Sequence, residues 1–448
     1  MKIKLISPRM SQRPTDSYFK RVLSPPLSLV MLATITPKKH SVYIADENTG
    51  KINLDDSPNL VGVTVNVDTS LRAFEIANVY RKRGIKVVFG GIHASANHEQ
   101  MLNHCDAVVI GEAEPIWETL LQDLEKGSLK TVYQCCNAPD LNNVPIPDWS
   151  FIDQKKYVYN NVVVASRGCP FKCHFCYNSS KYVSNPFRNR PLENVLEEIK
   201  SLKTKQILFI DDNFIGNIEW TKKFISAIKG RGFLWHAAVS ADIYQHKDLI
   251  EDFASSGCKS LFIGFESINP KSLDFAGKKQ NKTEDYTGLI NLLHSKGIMV
   301  NASLVFGFDN DSPEVFKNTL KWLVKNKIET MTAHILTPYP GTKFYSQLES
   351  EDRIIDRDAS KYNTSSVVFS PSKMSVTDLQ KGYIDMYNNF YSWKNIIRRF
   401  PDNKKIVLPY LLFNLGYRKF GRVTSFIGKF GLMHTIGKVA RRISYGIE

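Results

Sequence analysis

Apolar positions along the chain fall into short runs separated by amphipathic stretches of helical period. In the first 130 residues the runs lie at 2–6, 41–45, 60–65, 86–89 and 107–110, with helical patterns at 27–36, 71–83 and 116–125. Strands alternating with helices predict parallel pairing and a doubly wound, Rossmann-like α/β sheet. Ligands on such sheets bind beyond the carboxyl ends of the strands. Those ends read Thr64-Val65-Asn66, Gly90-Gly91-Ile92-His93 and Gly111-Glu112-Ala113-Glu114, where glycine lets a ligand approach the backbone closely. His93 reads equally as a satisfied loop histidine.

A proline-broken polar stretch at 133–160 predicts a linker. The alternation then resumes, with strands at 161–165, 206–210, 234–239, 260–263, 299–305 and 330–336 and helices at 192–202, 220–229, 247–255, 285–296 and 313–326. The expected organisation is a first domain at 1–132, a second at 161–347, and a mostly helical C-terminal extension at 348–448. In barrels of βα units, functional residues sit at strand carboxyl ends. That rule selects Asp211, Asp212, Asn213, Ser240 and Glu266, together with Asn301 within the fifth strand. Asp212 and Asn213 read equally as helix caps.

Chemistry concentrates where the first of these strands ends, in Cys169-Pro-Phe-Lys-Cys173-His-Phe175-Cys176-Tyr177. Three soft thiolates on one tight loop, with no fourth, suit a four-iron cluster that keeps one iron open for substrate. Zinc wants four ligands, and His174, the local alternative, sits strained inside the loop. The remaining cysteines, Cys105, Cys135, Cys136 and Cys258, are scattered, the total of seven is odd, and no secretory leader is evident, so disulfides are not expected.

The C-x3-C-x2-C motif resembles that of the radical S-adenosylmethionine (SAM) superfamily. The resemblance implies a six-stranded partial barrel, a 4Fe-4S cluster on Cys169, Cys173 and Cys176, and SAM chelating the open iron. It implies adenine contact by the backbone of Phe175, with Tyr177 beside it, and cofactor contacts from Asp211, Asp212, Ser240, Glu266 and Asn301. The first domain resembles the cobalamin-binding domain of the subfamily containing the anaerobic magnesium-protoporphyrin cyclase and hopanoid methylases. Thr64, Asn66, Gly90, Gly91, His93, Gly111 and Glu112 would then face cobalamin. The Asp-x-His-x-x-Gly run that supplies a cobalt ligand in many such domains is absent. Cobalamin would bind without a protein ligand, or the domain would be structural.

Charge changes the picture at one end only. Of the formal +15, +10 falls in residues 394–448, leaving +5 for the rest. Apolar and basic residues mix there, notably across 426–445, as in an interfacial helix on anionic lipid; an ordinary packed amphipathic helix reads equally well. No apolar run is long enough for a membrane span, and no RNA-binding module accompanies the charge, so nucleic acid is not expected. The expected location is cytoplasmic, with peripheral contact on the inner membrane face. The expected partners are a small-molecule or lipid-like substrate and a flavodoxin- or ferredoxin-type reductant. The expected reaction is cobalamin-dependent methylation of an unactivated carbon. The alternatives are radical cyclisation, rearrangement or oxidation, or a non-catalytic metal- or nucleic-acid-binding protein.

Overall fold

The structure is a computed structural model, and it describes residues 1–14, 22–135, 138–183, 185–202, 204–419, 435, 437–439 and 442. Cys136 and most of the interfacial stretch at 426–445 lie outside the described residues.

Two parallel sheets organise the chain. The first contains β1 (Lys2–Ser7), β2 (Ser41–Asp46), β3 (Leu60–Thr64), β4 (Lys86–Gly90), β5 (Ala107–Ile110) and β6 (Val132–Gln134), in the order β2-β1-β3-β4-β5-β6. The order reverses direction at β1, so right-handed crossovers place helices on both faces. The two faces carry separate apolar clusters, one around Tyr80 and Phe89 and one around Trp117 and Leu120. Strand β6 lies in the stretch read as linker. Three residues are too few to show periodicity, and pairing with β5 through Val108, Val109 and Ile110 makes them a strand.

The second sheet contains β7 (Val162–Val163), β10 (Gln206–Phe209), β11 (Leu234–Ser240), β12 (Cys258–Glu266), β13 (Met299–Phe306) and β14 (Thr330–Ile335). Between its first two members lies a short antiparallel ladder of β8 (Ser166–Arg167) and β9 (Arg188–Asn189). The order β14-β13-β12-β11-β10-β7 is strictly sequential. Every crossover therefore stays on one face, the helices form an outer layer, and the sheet is a six-stranded partial barrel left open between β7 and β14. Its core includes an aromatic group of Phe209, Phe214, Phe224, Trp235 and Phe253.

The β14 edge is covered by the helix Val376–Phe390 and the residue after it. Tyr387 Oη accepts from the Ala333 N–H at 2.9 Å and donates to its carbonyl at 3.1 Å; Tyr391 Oη does the same at Met331, at 3.4 and 3.2 Å. Two phenols thus occupy backbone groups that a further strand would use.

Candidate active site

The cysteine loop leaves the barrel just after β8, at Gly168, whose φ is +81°. A Cβ there would lie 3.0 Å from the Pro186 carbonyl oxygen, so both conformation and space require glycine. Cys173 is buried, and Cys169 and Cys176 are half-buried. Burial pushes the Cys169 thiol up to about 11 and the Cys176 thiol up to about 12, and the neighbouring cysteines push both in the same direction. The three sulfurs are therefore within electrostatic reach of one another. Yet among the described residues no three His, Cys, Asp or Glu side chains converge tightly enough to chelate a single ion. Three thiolates with no fourth ligand suit a cluster better than zinc, and bound metal cations would offset the cost of ionising them. His174 is engaged elsewhere: Nδ1 bonds the Phe275 carbonyl at 2.9 Å, which ties the loop to the barrel.

Around the loop stand the strand ends. Asp211 is buried and accepts from the Ala165 N–H at 3.1 Å and Ser166 Oγ at 2.5 Å. Burial lifts its carboxyl to about 6 against those donors. Asp212 is open to solvent yet walled by protein, and desolvation raises it too. Asn213 is buried and donates to Ser240 Oγ at 3.0 Å, while Ser240 donates to Asp242. Ser240 is thus held in a network at the end of β11.

Glu266 closes β12 in the left-handed region, with φ +61°, where the β12–β13 register slips between Gly264 and Glu266. A non-glycine residue there is strained, and the slip turns its side chain inward. The carboxylate meets Lys278 Nζ at 2.5 Å and Ser303 Oγ at 3.4 Å; Glu266 and Lys278 are 8% and 7% exposed. Lys278 in turn lowers the ionisation cost of Cys169 and Cys173. Gly264 makes this pairing possible, since a Cβ there would lie 2.6 Å from the Glu266 carboxylate.

Other candidates have partners of their own. Asn301 is the third residue of β13, at the end remote from the loops, and accepts from Thr332 Oγ1 at 3.3 Å. Ser303, two residues on, is the β13 side chain beside Glu266. Asn66 caps the turn Val67–Thr69. Phe175 packs edge-on to Phe308, ring centroids 6.2 Å apart. Tyr177 is buried, stacks on Tyr339 at 4.9 Å, and bonds His93 Nδ1 at 3.1 Å. His93 therefore faces the cysteine loop.

A cavity of about 460 Å³ joins the two sheets. One wall is Thr64, Gly90, Gly91 and Gly111 with the apolar Leu29, Met31 and Trp117; the opposite wall carries Arg167, Gly168, Asp211 and Asp212. A Cβ on Gly111 would meet nothing within 4 Å, so the backbone there is bare to an occupant. Glu112 is not free for a cofactor: it takes Arg167 at 2.6 Å and also pairs with Arg188. Lys278, Arg167, Arg188 and Ser303 escaped the sequence reading, because their partners lie 12 to 76 residues away and carry no local motif.

Comparisons with known proteins agree with this picture. A model described as the radical SAM superfamily matches residues 163–323, and one described as a domain of unknown function matches residues 342–409. Bacteriochlorophyllide d C-12(1)-methyltransferase of Chlorobaculum tepidum is 30% identical over 389 residues, which are 84% of this chain and 85% of that protein. The C-8(2)-methyltransferase of the same organism is 27% identical, covering 88% and 91%. Among solved structures, the radical SAM methyltransferase TsrM from Kitasatospora setae, with cobalamin and a 4Fe-4S cluster bound, matches with a TM-score of 0.66 at 17% identity, covering 96% of this chain and 99% of that one. At that identity the likeness is one of fold. Membership in this superfamily brings with it a 4Fe-4S cluster and SAM. The chain is a radical SAM enzyme, and it belongs to the family that includes the C. tepidum bacteriochlorophyllide C-12(1)-methyltransferase.

Proposed function

We propose that the enzyme is a cobalamin-dependent C-methyltransferase acting on an unactivated carbon of an apolar small-molecule or lipid-like substrate. One observation carries the reading: a single cavity is lined both by the glycine-bearing strand ends of the first sheet and by the residues flanking the cysteine loop. Cys169, Cys173 and Cys176 hold the cluster, which when bound supplies the electron that cleaves SAM to a 5′-deoxyadenosyl radical. Gly90, Gly91 and Gly111 would hold a corrinoid, with the backbone bare at Gly111, and the corrinoid would carry the methyl group. The backbone of Phe175, with Tyr177, Asp212 and Ser240, borders the nucleoside part of SAM. Glu266 and Lys278 offer one carboxylate and one ammonium to the zwitterionic methionine end.

The relatives support methyl transfer over cyclisation. The two bacteriochlorophyllide methyltransferases are covered over 85% and 91% of their length, whereas the anaerobic magnesium-protoporphyrin cyclase of Cereibacter sphaeroides is 25% identical and covered over 60%. A flavodoxin- or ferredoxin-type protein is the proposed reductant. Among the described residues no helix is long and apolar enough to cross a membrane. The exposed Trp393, Ile397, Phe400, Leu408 and Phe413, interspersed with Lys394, Arg398, Lys404 and Lys405, favour peripheral contact with anionic lipid.

Anaerobically reconstituted protein should carry about four irons per chain and should show a corrinoid absorption spectrum on addition of hydroxocobalamin. Replacing Cys169, Cys173 and Cys176 by alanine should abolish 5′-deoxyadenosine release. Release by the triple variant would refute the cluster assignment, and a protein that keeps its iron but takes up no corrinoid would refute the methyl-transfer reading.

A further inference from the structure

Two of the strand ends of the first sheet that line the cavity, those of β4 and β5, lead into segments tied to the cysteine loop, one to each flank. On the N-terminal flank, Arg167 stands two residues before Cys169. It reaches the loop after β5, donating to Glu112 at 2.6 Å and pairing with Glu114. Arg188, opposite Arg167 in the β8–β9 ladder, pairs with the same Glu112. On the C-terminal flank, Tyr177 follows Cys176 directly and bonds His93 at 3.1 Å; His93 is 3% exposed. His93 belongs to the short helix Ile92–Ala96 that continues from Gly90-Gly91. That helix also abuts the turn closing the barrel: a Cβ on Gly341 would lie 3.1 Å from the Ala96 carbonyl oxygen.

We propose that these two links couple the cavity to the cluster, so that corrinoid in the cavity and SAM at the cluster each strengthen binding of the other, with Arg167 and His93 as positioning residues. The inference rests on the function proposed above. A ligand that fixes the loops at Gly91 and Gly111 also fixes, through His93 and Glu112, the two ends of the cysteine loop. The second ligand then meets loops already ordered, and the gain is reciprocal. Couplings of this kind amount to roughly 5- to 150-fold.

The test uses full-length, anaerobically reconstituted protein. SAM affinity is read by equilibrium dialysis of radiolabelled SAM against protein whose cluster is in the oxidised +2 state, without and with saturating hydroxocobalamin. Hydroxocobalamin affinity is read from absorbance, without and with SAM. The wild type should show the same factor, at least 5-fold, in both directions. His93→Leu and Arg167→Met should each bring the factor towards one, whatever they do to the two affinities taken singly. His93→Asn, which keeps a hydrogen-bonding atom at the Nδ1 position, should restore it. Should Arg167→Met lose its cluster, Glu114→Gln, outside the cysteine loop, takes its place. Two ligands binding with no mutual effect, or variants keeping the wild-type factor, overturn the coupling alone. A wild type that takes up iron but no cobalamin overturns the proposed function, and the coupling with it.

Discussion

At the scale of single residues, the site holds charge at a cost in stability. Asp211 illustrates the sign. Its carboxyl titrates near 6 in the folded chain, against 3.8 for the unperturbed group. Between those values the native state binds more protons than the unfolded state, so this group's contribution is greatest below pH 4 and is lost as pH rises through 6. Asp211→Asn keeps an oxygen to accept from Ala165 and Ser166 but cannot ionise. Urea titrations from pH 4 to 7.5 should show the variant gaining on wild type as pH rises, by up to about 3 kcal/mol. A difference that does not change with pH would show that Asp211 titrates normally. The Glu266–Lys278 pair makes a different demand. Lys278→Met leaves a buried carboxylate without its cation and should cost about 3–5 kcal/mol, whereas adding Glu266→Gln should recover most of it. A double variant as unstable as the single one would show that the two charges do not act as a pair.

At the scale of elements, much was legible where information is local. The cysteine loop was readable because three ligands fall within eight residues, and the βα alternation because each helix and strand carries its own period. Height within a strand was not readable. Asn301 and Ser303 share a face of β13, and only the register against β12 and β14 shows which of them reaches the site. Nor was the direction of His93, which depends on how the two halves dock. Glycines can be sorted only with the structure in hand. Gly91 has φ +100°, and a Cβ would lie 2.9 Å from Thr64 Oγ1; Gly111 has φ +79° and open space. Gly91→Ala should therefore destabilise by about 2–4 kcal/mol, combining backbone strain with overpacking. Gly111→Ala should cost only about 1–2 kcal/mol from backbone conformation. It should still weaken hydroxocobalamin binding, since its methyl would stand where the backbone is bare. Equal losses of stability in thermal unfolding would argue against the difference in packing.

At the scale of the whole molecule, charge and apolar exposure coincide towards the C-terminus. The helix Lys404–Lys419 buries Ile406, Tyr410 and Asn414 and turns Leu408 and Phe413 outwards. Phosphatidylglycerol vesicles should float the protein and phosphatidylcholine vesicles should not, and salt should weaken the association. Ile397→Glu with Phe413→Glu should reduce flotation at least tenfold; undiminished flotation would place the contact elsewhere. The hydroxyls of Tyr387 and Tyr391 bear on a different matter, the unit in which this fold is inherited. They satisfy the edge of β14 from a segment that a separate family model describes, beyond the one that matches the barrel. A barrel transferred to another chain without that segment would carry an open, adhesive edge. Recombination should therefore have moved the two together, and a chimera designed from this scaffold should be joined after Tyr391 and not at residue 347.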